Sequence, residues 1–260
     1  MAYQYALYEK KDHVAYITIN RPEVMNALHI HAHWEMAEIW NDFRDDPEAW
    51  VAVLTGAGEK AFSAGNDLKF AAQHAGETLP LQPPGGFGGI TNDFKCYKPM
   101  IAMVNGFALG GGLEMAMACD IIIAADHARF GLPEPTVGLF ASAGGVHRLP
   151  RQIPLKLAMG MMLTGRHITA PQALGYGLVN EVVPLAELKA AVDRWVQDIL
   201  RCAPLSVRAS KEAAMTGLDL PLVTAINVAY YGTQKMRASE DAVEGPKAFS
   251  EKRPPQWKGR

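Results

Sequence analysis

Val104-Asn105-Gly106-Phe107-Ala108-Leu109-Gly110-Gly111-Gly112-Leu113-Glu114 is the stretch from which the fold is read. It leaves the apolar, strand-like run 100–104 and enters a helix expected over residues 110–118. Gly110, Gly111 and Gly112 carry no Cβ, so backbone N–H groups there can come close to a bound group, and the positive end of the helix points the same way. Such a turn can hold a phosphate or stabilise negative charge that develops on an oxygen during a reaction. Glu114 falls in the first helical turn, beside those amides. The plainer reading is that the glycines only let a helix pack tightly on a strand and that Glu114 is an ordinary first-turn acid.

Two further segments bear on that choice. Ala61-Phe62-Ser63-Ala64-Gly65-Asn66-Asp67-Leu68 is a second small-residue loop between a strand and a helix, with Asp67 suited to the helix N-terminus. Two such loops would let two backbone donors converge on one carbonyl oxygen. Phe130-Gly131-Leu132-Pro133-Glu134 sets a second acid among apolar neighbours. Burial raises a carboxyl pKa, and two acids in one pocket push their values apart. That division suits the addition of water to a double bond: one glutamate deprotonates the water and the other delivers a proton to carbon. Taken singly, the first loop is a capped turn and Glu134 a surface acid beside a proline.

Outward from these loops, residues 3–9 and 13–19 alternate as strands around a turn at Lys11-Asp12, a helix is expected over 30–44, and 50–55 and 121–125 read as apolar strands. Strands alternating with helices indicate an α/β class. Residues 75–89, rich in Gly and Pro, read as a mobile loop over a site or a disordered flap. After Pro184 only helical segments follow, over 185–200, 206–216, 221–237 and 239–250. The expected division is an αβ core over 1–184 and a helical part over 185–260.

Composition excludes several classes. The chain is 49% hydrophobic with a formal net charge of -2, so it offers no bulk electrostatic attraction for nucleic acid or an anionic membrane. Cys96, Cys119 and Cys202 are odd in number, lie in apolar runs and form no CxxC, which indicates reduced, buried, cytosolic thiols. No basic-then-apolar leader and no membrane-length apolar run is present, so a cytoplasmic protein is expected. His29 and His33 share a helical face, but no acid or cysteine completes a metal site. Met159, Met161 and Met162, like Trp34, Trp40 and Trp50, have spacings that fit burial.

Taken together these segments resemble the crotonase (enoyl-CoA hydratase/isomerase) superfamily. The likeness runs from Ile19-Asn20-Arg21-Pro22 and Asn26-Ala27-Leu28 through the loops quoted above to Gly144-Gly145, Arg148-Leu149-Pro150, Thr164-Gly165-Arg166, Gly175 to Asn180, Ser239-Glu240-Asp241 and Phe249-Ser250-Glu251-Lys252-Arg253. It implies a spiral of ββα units with a C-terminal helical trimerisation region, assembled as a homotrimer or hexamer (a dimer of trimers). It implies an enoyl-CoA hydratase: an oxyanion hole for a thioester carbonyl from the N–H groups of Asn66 and Gly111, with Glu114 and Glu134 as the catalytic acids. Val24, Ala64, Asp67, Leu68 and Lys69 match positions bordering CoA. Phe249 and Lys252 match residues that reach a neighbouring subunit's CoA. No metal or redox cofactor is implied, since coenzyme A enters as part of the acyl-CoA substrate. Within the superfamily, residues 43–47, 55–60, 84–89 and the end from Glu251 are most similar to the crotonobetainyl-CoA hydratase (carnitinyl-CoA dehydratase) group. Where ordinary members have Pro-Gly this chain has Ala141-Ser142, and position 142 faces the reacting carbons in the family, so Ser142 bears on the acyl group.

Other readings rank below this one. An isomerase, another acyl-CoA lyase or a thioesterase would share the oxyanion hole. A short-chain NAD(P)-dependent oxidoreductase would use Gly106 to Gly112 with Asp126 and a Tyr231-x-x-x-Lys235 pair, but that glycine motif should open the chain, and the region after Pro184 lacks the αβ units a Rossmann sheet needs. RNA binding through the first helix is opposed by its acidic face, with Glu35, Glu38 and Asp42.

Overall fold

The computed structural model describes residues 3–260. β1 (Ala6–Lys11) and β2 (Val14–Ile19) pair antiparallel, Lys11 opposite Val14. The two residues between them, Asp12 and His13, both take positive φ, the geometry that matches the twist of a tight hairpin, so the turn lies one residue later than Lys11-Asp12. The chain then forms α1 (Ile30–Asp45), β3 (Val51–Gly56), β4 (Ala61–Ser63), α2 (Leu68–Gln73), β5 (Met100–Val104), β6 (Phe107–Leu109), α3 (Gly111–Ala118), β7 (Ile121–Ala125) and β8 (Arg129–Gly131). α4 (Gly145–Gln152), α5 (Leu155–Thr164), β9 (Ile168–Thr169), α6 (Ala170–Gly175) and β10 (Glu181–Val183) follow. Five helices end the chain: α7 (Leu185–Leu200), α8 (Pro204–Gly217), α9 (Leu222–Asn227), α10 (Tyr231–Arg237) and α11 (Asp241–Ser250). The single helix expected over 221–237 is two, because Val228 turns extended at the end of α9 and Tyr230 is extended before α10.

Two sheets result. One has the order β1-β2-β3-β5-β7-β10 and is parallel from β2 onward; the other has the order β4-β6-β8-β9 and is parallel through β8. Each successive pair, β3 and β4, β5 and β6, β7 and β8, gives one strand to each sheet. Helices α2 and α3 close the first two of these units. The consequence for function is geometric. Because β4, β6 and β8 are parallel neighbours, the chain leaves all three on the same edge, and the segments at Ala64–Asp67, Gly110–Gly111 and Leu132–Glu134 are neighbours there.

The central strands of the first sheet, β3, β5 and β7, are apolar on both faces, as strands covered on both sides must be. Alternate residues Ile17, Leu54, Ala102 and Ala124 enter a core shared with Met36, Ile39, Trp40 and Phe43 of α1 and with Phe62 and Phe130 of the second sheet. The intervening Val14, Val51, Val53, Ile101 and Ile123 face Leu188, Ala191, Val192 and Val196 of α7. The first helix after Pro184 therefore covers the outer face of the sheet.

Local polar ties brace the edge that carries the loops. Asn26 is fully buried in a left-handed conformation, accepts from the N–H of Arg21, and donates to the carbonyls of Ala57 and Ala61 at 3.0 and 2.8 Å. Its own carbonyl accepts from Ser63 Oγ at 2.8 Å. Arg21 pairs with Asp67 at 3.0 Å. Replacing Asn26 strands one buried and one partly buried carbonyl and imposes a side chain poorly suited to that conformation. Asn26→Ala is expected to lower the unfolding free energy by about 2–3 kcal/mol in urea denaturation monitored by circular dichroism.

Candidate active site

Gly65 is where the first two loops meet. It takes a φ of +89°, and a Cβ built on it would lie 2.7 Å from the carbonyl of Leu109 and 2.9 Å from the nitrogen of Gly111. Only a residue without a side chain lets these backbones approach so closely. The bridge between Leu28 and Asn66 uses the carbonyl of Gly65 and the N–H of Asp67, both bonded to Leu28. The N–H of Asn66 therefore points away from that bridge. Gly111 is the first residue of α3, so its N–H is one of those a helix leaves without an internal partner. Asn66 and Gly111 both line one cavity of about 250 Å³.

The two glutamates share that cavity. Glu114 is buried, and its Oε1 accepts the N–H of Gly145, the first residue of α4, at 2.7 Å. Burial, with the charge of Glu134 adding to it, pushes its pKa up to about 7, against the opposing pull of the Gly145 and Ala143 amides and of Arg148. Glu134 opens a short 3-10 turn ending at Val137 and rests over Gly110, where an added Cβ would meet its Oε1 at 2.8 Å. Burial raises its pKa as well, and its Oε2 is a buried acceptor with no protein donor. Two acids drawn out of water in one cavity make simultaneous ionisation of both costly.

The remaining wall is largely apolar: Leu68, Phe87, Pro133, Val137, Leu139 and Phe140, with Gln82, Thr136 and Ser142. The ring tip of Phe87 lies against Gly111, at a distance that a Cβ there would forbid. The segment expected as a mobile loop or flap is packed at this end, with Phe87 through Ile90 buried. His33 is why: its Nδ1 accepts the N–H of Gly88 at 3.1 Å and its ring meets the Phe87 ring edge-on. Burial lowers the His33 pKa to about 4, so the ring stays a neutral acceptor. The other end of the segment, around Leu81, is exposed and tied to α1 by the indole of Trp34.

The expected site residues divide into three groups. Glu114, Glu134, Asn66, Gly111, Ala64, Leu68 and Ser142 come together around the cavity. Val24, Asp67 and Lys69 do not line it; Asp67 caps α2 through Phe70 N–H and holds Arg21. Phe249 is 88% exposed at the end of α11, and neither it nor Lys252 lines this chain's own cavity. Phe87, Gly145, Gln82 and the Val137–Phe140 rim escaped sequence reasoning. An aromatic in a Gly/Pro-rich loop was the one available signal for Phe87. Cys202 is exposed, against the expectation of three buried thiols, because its Sγ sits on the outer turn after α7.

Comparison with known proteins gives a consistent neighbourhood. The family profile described as enoyl-CoA hydratase/isomerase matches residues 9–260. The carnitinyl-CoA dehydratase of Escherichia coli strain K12 is 46% identical over 248 residues, covering 94% of each chain. The (E)-benzylidenesuccinyl-CoA hydratase of Thauera aromatica is 44% identical over 259 residues, covering 96% of this chain and 98% of that one. The crystal structure of an enoyl-CoA hydratase from Mycobacterium marinum superposes with a TM-score of 0.91 at 37% identity, covering 98% of this chain and 99% of that one.

The like-charge coupling of the two acids is open to measurement. Glu134→Gln removes the neighbouring negative charge, so the Glu114 carboxyl is expected to titrate at lower pH than in the parent protein. Infrared titration of the carboxyl band, with Glu114→Gln as the subtraction control, reads that shift directly.

Proposed function

We propose, for a chain that belongs to the enoyl-CoA hydratase/isomerase family, that Glu114 and Glu134 hold and split the water that adds across the double bond of a 2-enoyl-CoA. The protein is a hydro-lyase of the enoyl-CoA hydratase type. The observation that carries the assignment of residues is the meeting, in one cavity, of two carboxyls with raised pKa values and two backbone N–H groups on glycine-packed loops.

The thioester carbonyl oxygen accepts from Asn66 N–H and Gly111 N–H. Water between the glutamates gives a proton to the ionised carboxylate as its oxygen bonds to the β-carbon. The π electrons move toward the thioester, and negative charge gathers on the carbonyl oxygen that the two fixed donors face. The α-carbon then takes a proton from the carboxyl pair, so the pair ends with the proton count it began with. Each donor of such a hole contributes on the order of 3 kcal/mol to lowering the barrier. The chemistry calls for acid–base groups and fixed dipoles; coenzyme A is part of the substrate, and no metal or redox group has a step to perform.

The apolar wall at Leu68, Phe87, Leu139 and Phe140 would receive the acyl chain, with Ser142 beside it. Self-association into trimers or hexamers is supported by the large apolar side chains left bare on the C-terminal helices, among them Leu222, Val223, Ile226 and Phe249. Phe249 and Lys252 would then complete the CoA site of a neighbouring copy. Among the described residues no helix is long and apolar enough to cross a membrane.

Turnover is measured as loss of the conjugated thioester's ultraviolet absorbance across a panel of enoyl-CoA esters that includes crotonyl-CoA, crotonobetainyl-CoA and (E)-benzylidenesuccinyl-CoA. Glu134→Gln is expected to keep CoA affinity and to lose at least about a hundredfold in kcat; near-parental hydration by that variant would remove Glu134 from the mechanism. Because one proton must stay on the pair, kcat is expected to be bell-shaped in pH. Its alkaline limb should lie near the Glu114 pKa of about 7, above which the shared proton is lost.

A further inference from the structure

We propose that Arg148 is a positioning residue for the glutamate pair: its guanidinium holds the cavity wall at residues 141–145 against the strap at residues 85–92. The kinetic part of this inference rests on the hydratase reading; the electrostatic part does not.

Arg148 lies one turn into α4, whose first N–H is the donor to Glu114. From there it reaches back over its own helix start. Nη1 donates to the carbonyl of Ala143 at 3.3 Å and Nη2 to the carbonyl of Thr91 at 3.0 Å. Ala143 lines the cavity, and Thr91 ends the segment that carries Phe87. One side chain thus joins the segment that carries Ala143 to the segment that carries Phe87. Gly144 makes room for it: it is left-handed at φ +100°, and a Cβ there would collide with Nη1. The tie to Glu114 is short, because Gly144 immediately precedes the Gly145 N–H that holds Oε1.

The charge of Arg148 is unusual for its place. It is largely shielded from water, and among the described residues it has no ion-pair partner within salt-bridge distance. Drawing such a cation partly out of water is costly unless something nearby gains from it. The acid whose charge favours its ionised form is Glu114; the thiol of Cys119 nearby is kept protonated by burial. Residues 85–92 contribute no charged side chain. Glu114 in turn faces Glu134 and Arg148. Arg148 therefore opposes the effects of burial and of Glu134, and keeps Glu114 from holding its proton too tightly to release it.

The test compares Arg148→Met, which removes the charge and the ties, with Arg148→Lys, which keeps a charge but cannot span both carbonyls in the same way. For Arg148→Met the expected results are a Glu114 carboxyl band that titrates at higher pH than in the parent, both limbs of the kcat profile moved to higher pH, and kcat lower on the order of tenfold or more with a smaller change in KM. For Arg148→Lys the expected results are a near-parental titration with a lower kcat. An unmoved carboxyl titration in Arg148→Met, or a loss of kcat with both pH limbs in place, would overturn the proposal. If Arg148→Met does not fold, Arg148→Lys decides: parental titration with reduced kcat supports the proposal, and parental kcat overturns it. Failure of the hydratase reading looks different, since the unaltered protein would then turn over no enoyl-CoA while the infrared shift in Arg148→Met persisted.

Discussion

The approach of the Ala64–Asp67 loop to the start of α3 is the contact on which the site depends. Gly65 lies against the Leu109 carbonyl and the Gly111 nitrogen at distances no side chain would allow. The same pressure acts a residue further on, where Gly112 lies under the carbonyl of Ser63. Parallel pairing of β4 with β6 brings the two loops to one edge, and the missing Cβ atoms let them close. Asn26, Arg21 and Asp67 then lock the first loop from behind with hydrogen bonds that are themselves buried or nearly so. On the proposed reading rigidity matters here, because fixed donors stabilise developing charge without having to reorient as it forms.

The same packing sets the electrostatics. Glu134 can stand over Gly110 because no side chain fills that space, and Glu114 comes from the helix that the glycine run opens. Both carboxyls are thereby drawn out of water, which raises their pKa values before they interact with each other. The amide of Gly145 and the cation of Arg148 pull the other way on Glu114. The outcome, near neutral pH for Glu114, is a balance of opposed effects contributed by α3, α4 and the segment after β8. An acid and a base can then coexist in one cavity at the pH of the cell.

The wall of the cavity is where this chain has its own character. Phe87, Leu139 and Phe140 make it apolar, and the strap that carries Phe87 is fastened at one end to His33 and at the other to Trp34. Relatives of comparable similarity act on carnitinyl-CoA and on benzylidenesuccinyl-CoA by their names. Those acyl groups differ widely in charge and bulk, and on the proposed reading the residues around Ser142 and Phe140 are where acyl preference would be decided.

Much of this was legible in the residues themselves. Alternating β-branched runs, two small-residue loops that each open a helix, and two glutamates in apolar settings are local signals, and local signals survive without coordinates. They marked the α/β class, the strands expected at 13–19, 50–55, 100–104 and 121–125, each found within a residue of those bounds, and the pairing of Glu114 with Glu134 as candidates. What they could not mark were contacts between segments far apart in the chain. That Phe87 covers Gly111, that Gly145 donates to Glu114, that His33 fastens a strap 55 residues away and that Arg148 spans to Thr91 all follow from how two sheets and a helix layer pack. The break between α9 and α10 and the exposure of Cys202 belong with these, since both depend on which faces find neighbours. Sequence specified which chemistry was available, because residue type sets charge and backbone freedom. Only the tertiary structure decided its geometry, because distance and burial belong to pairs of segments and not to any one of them.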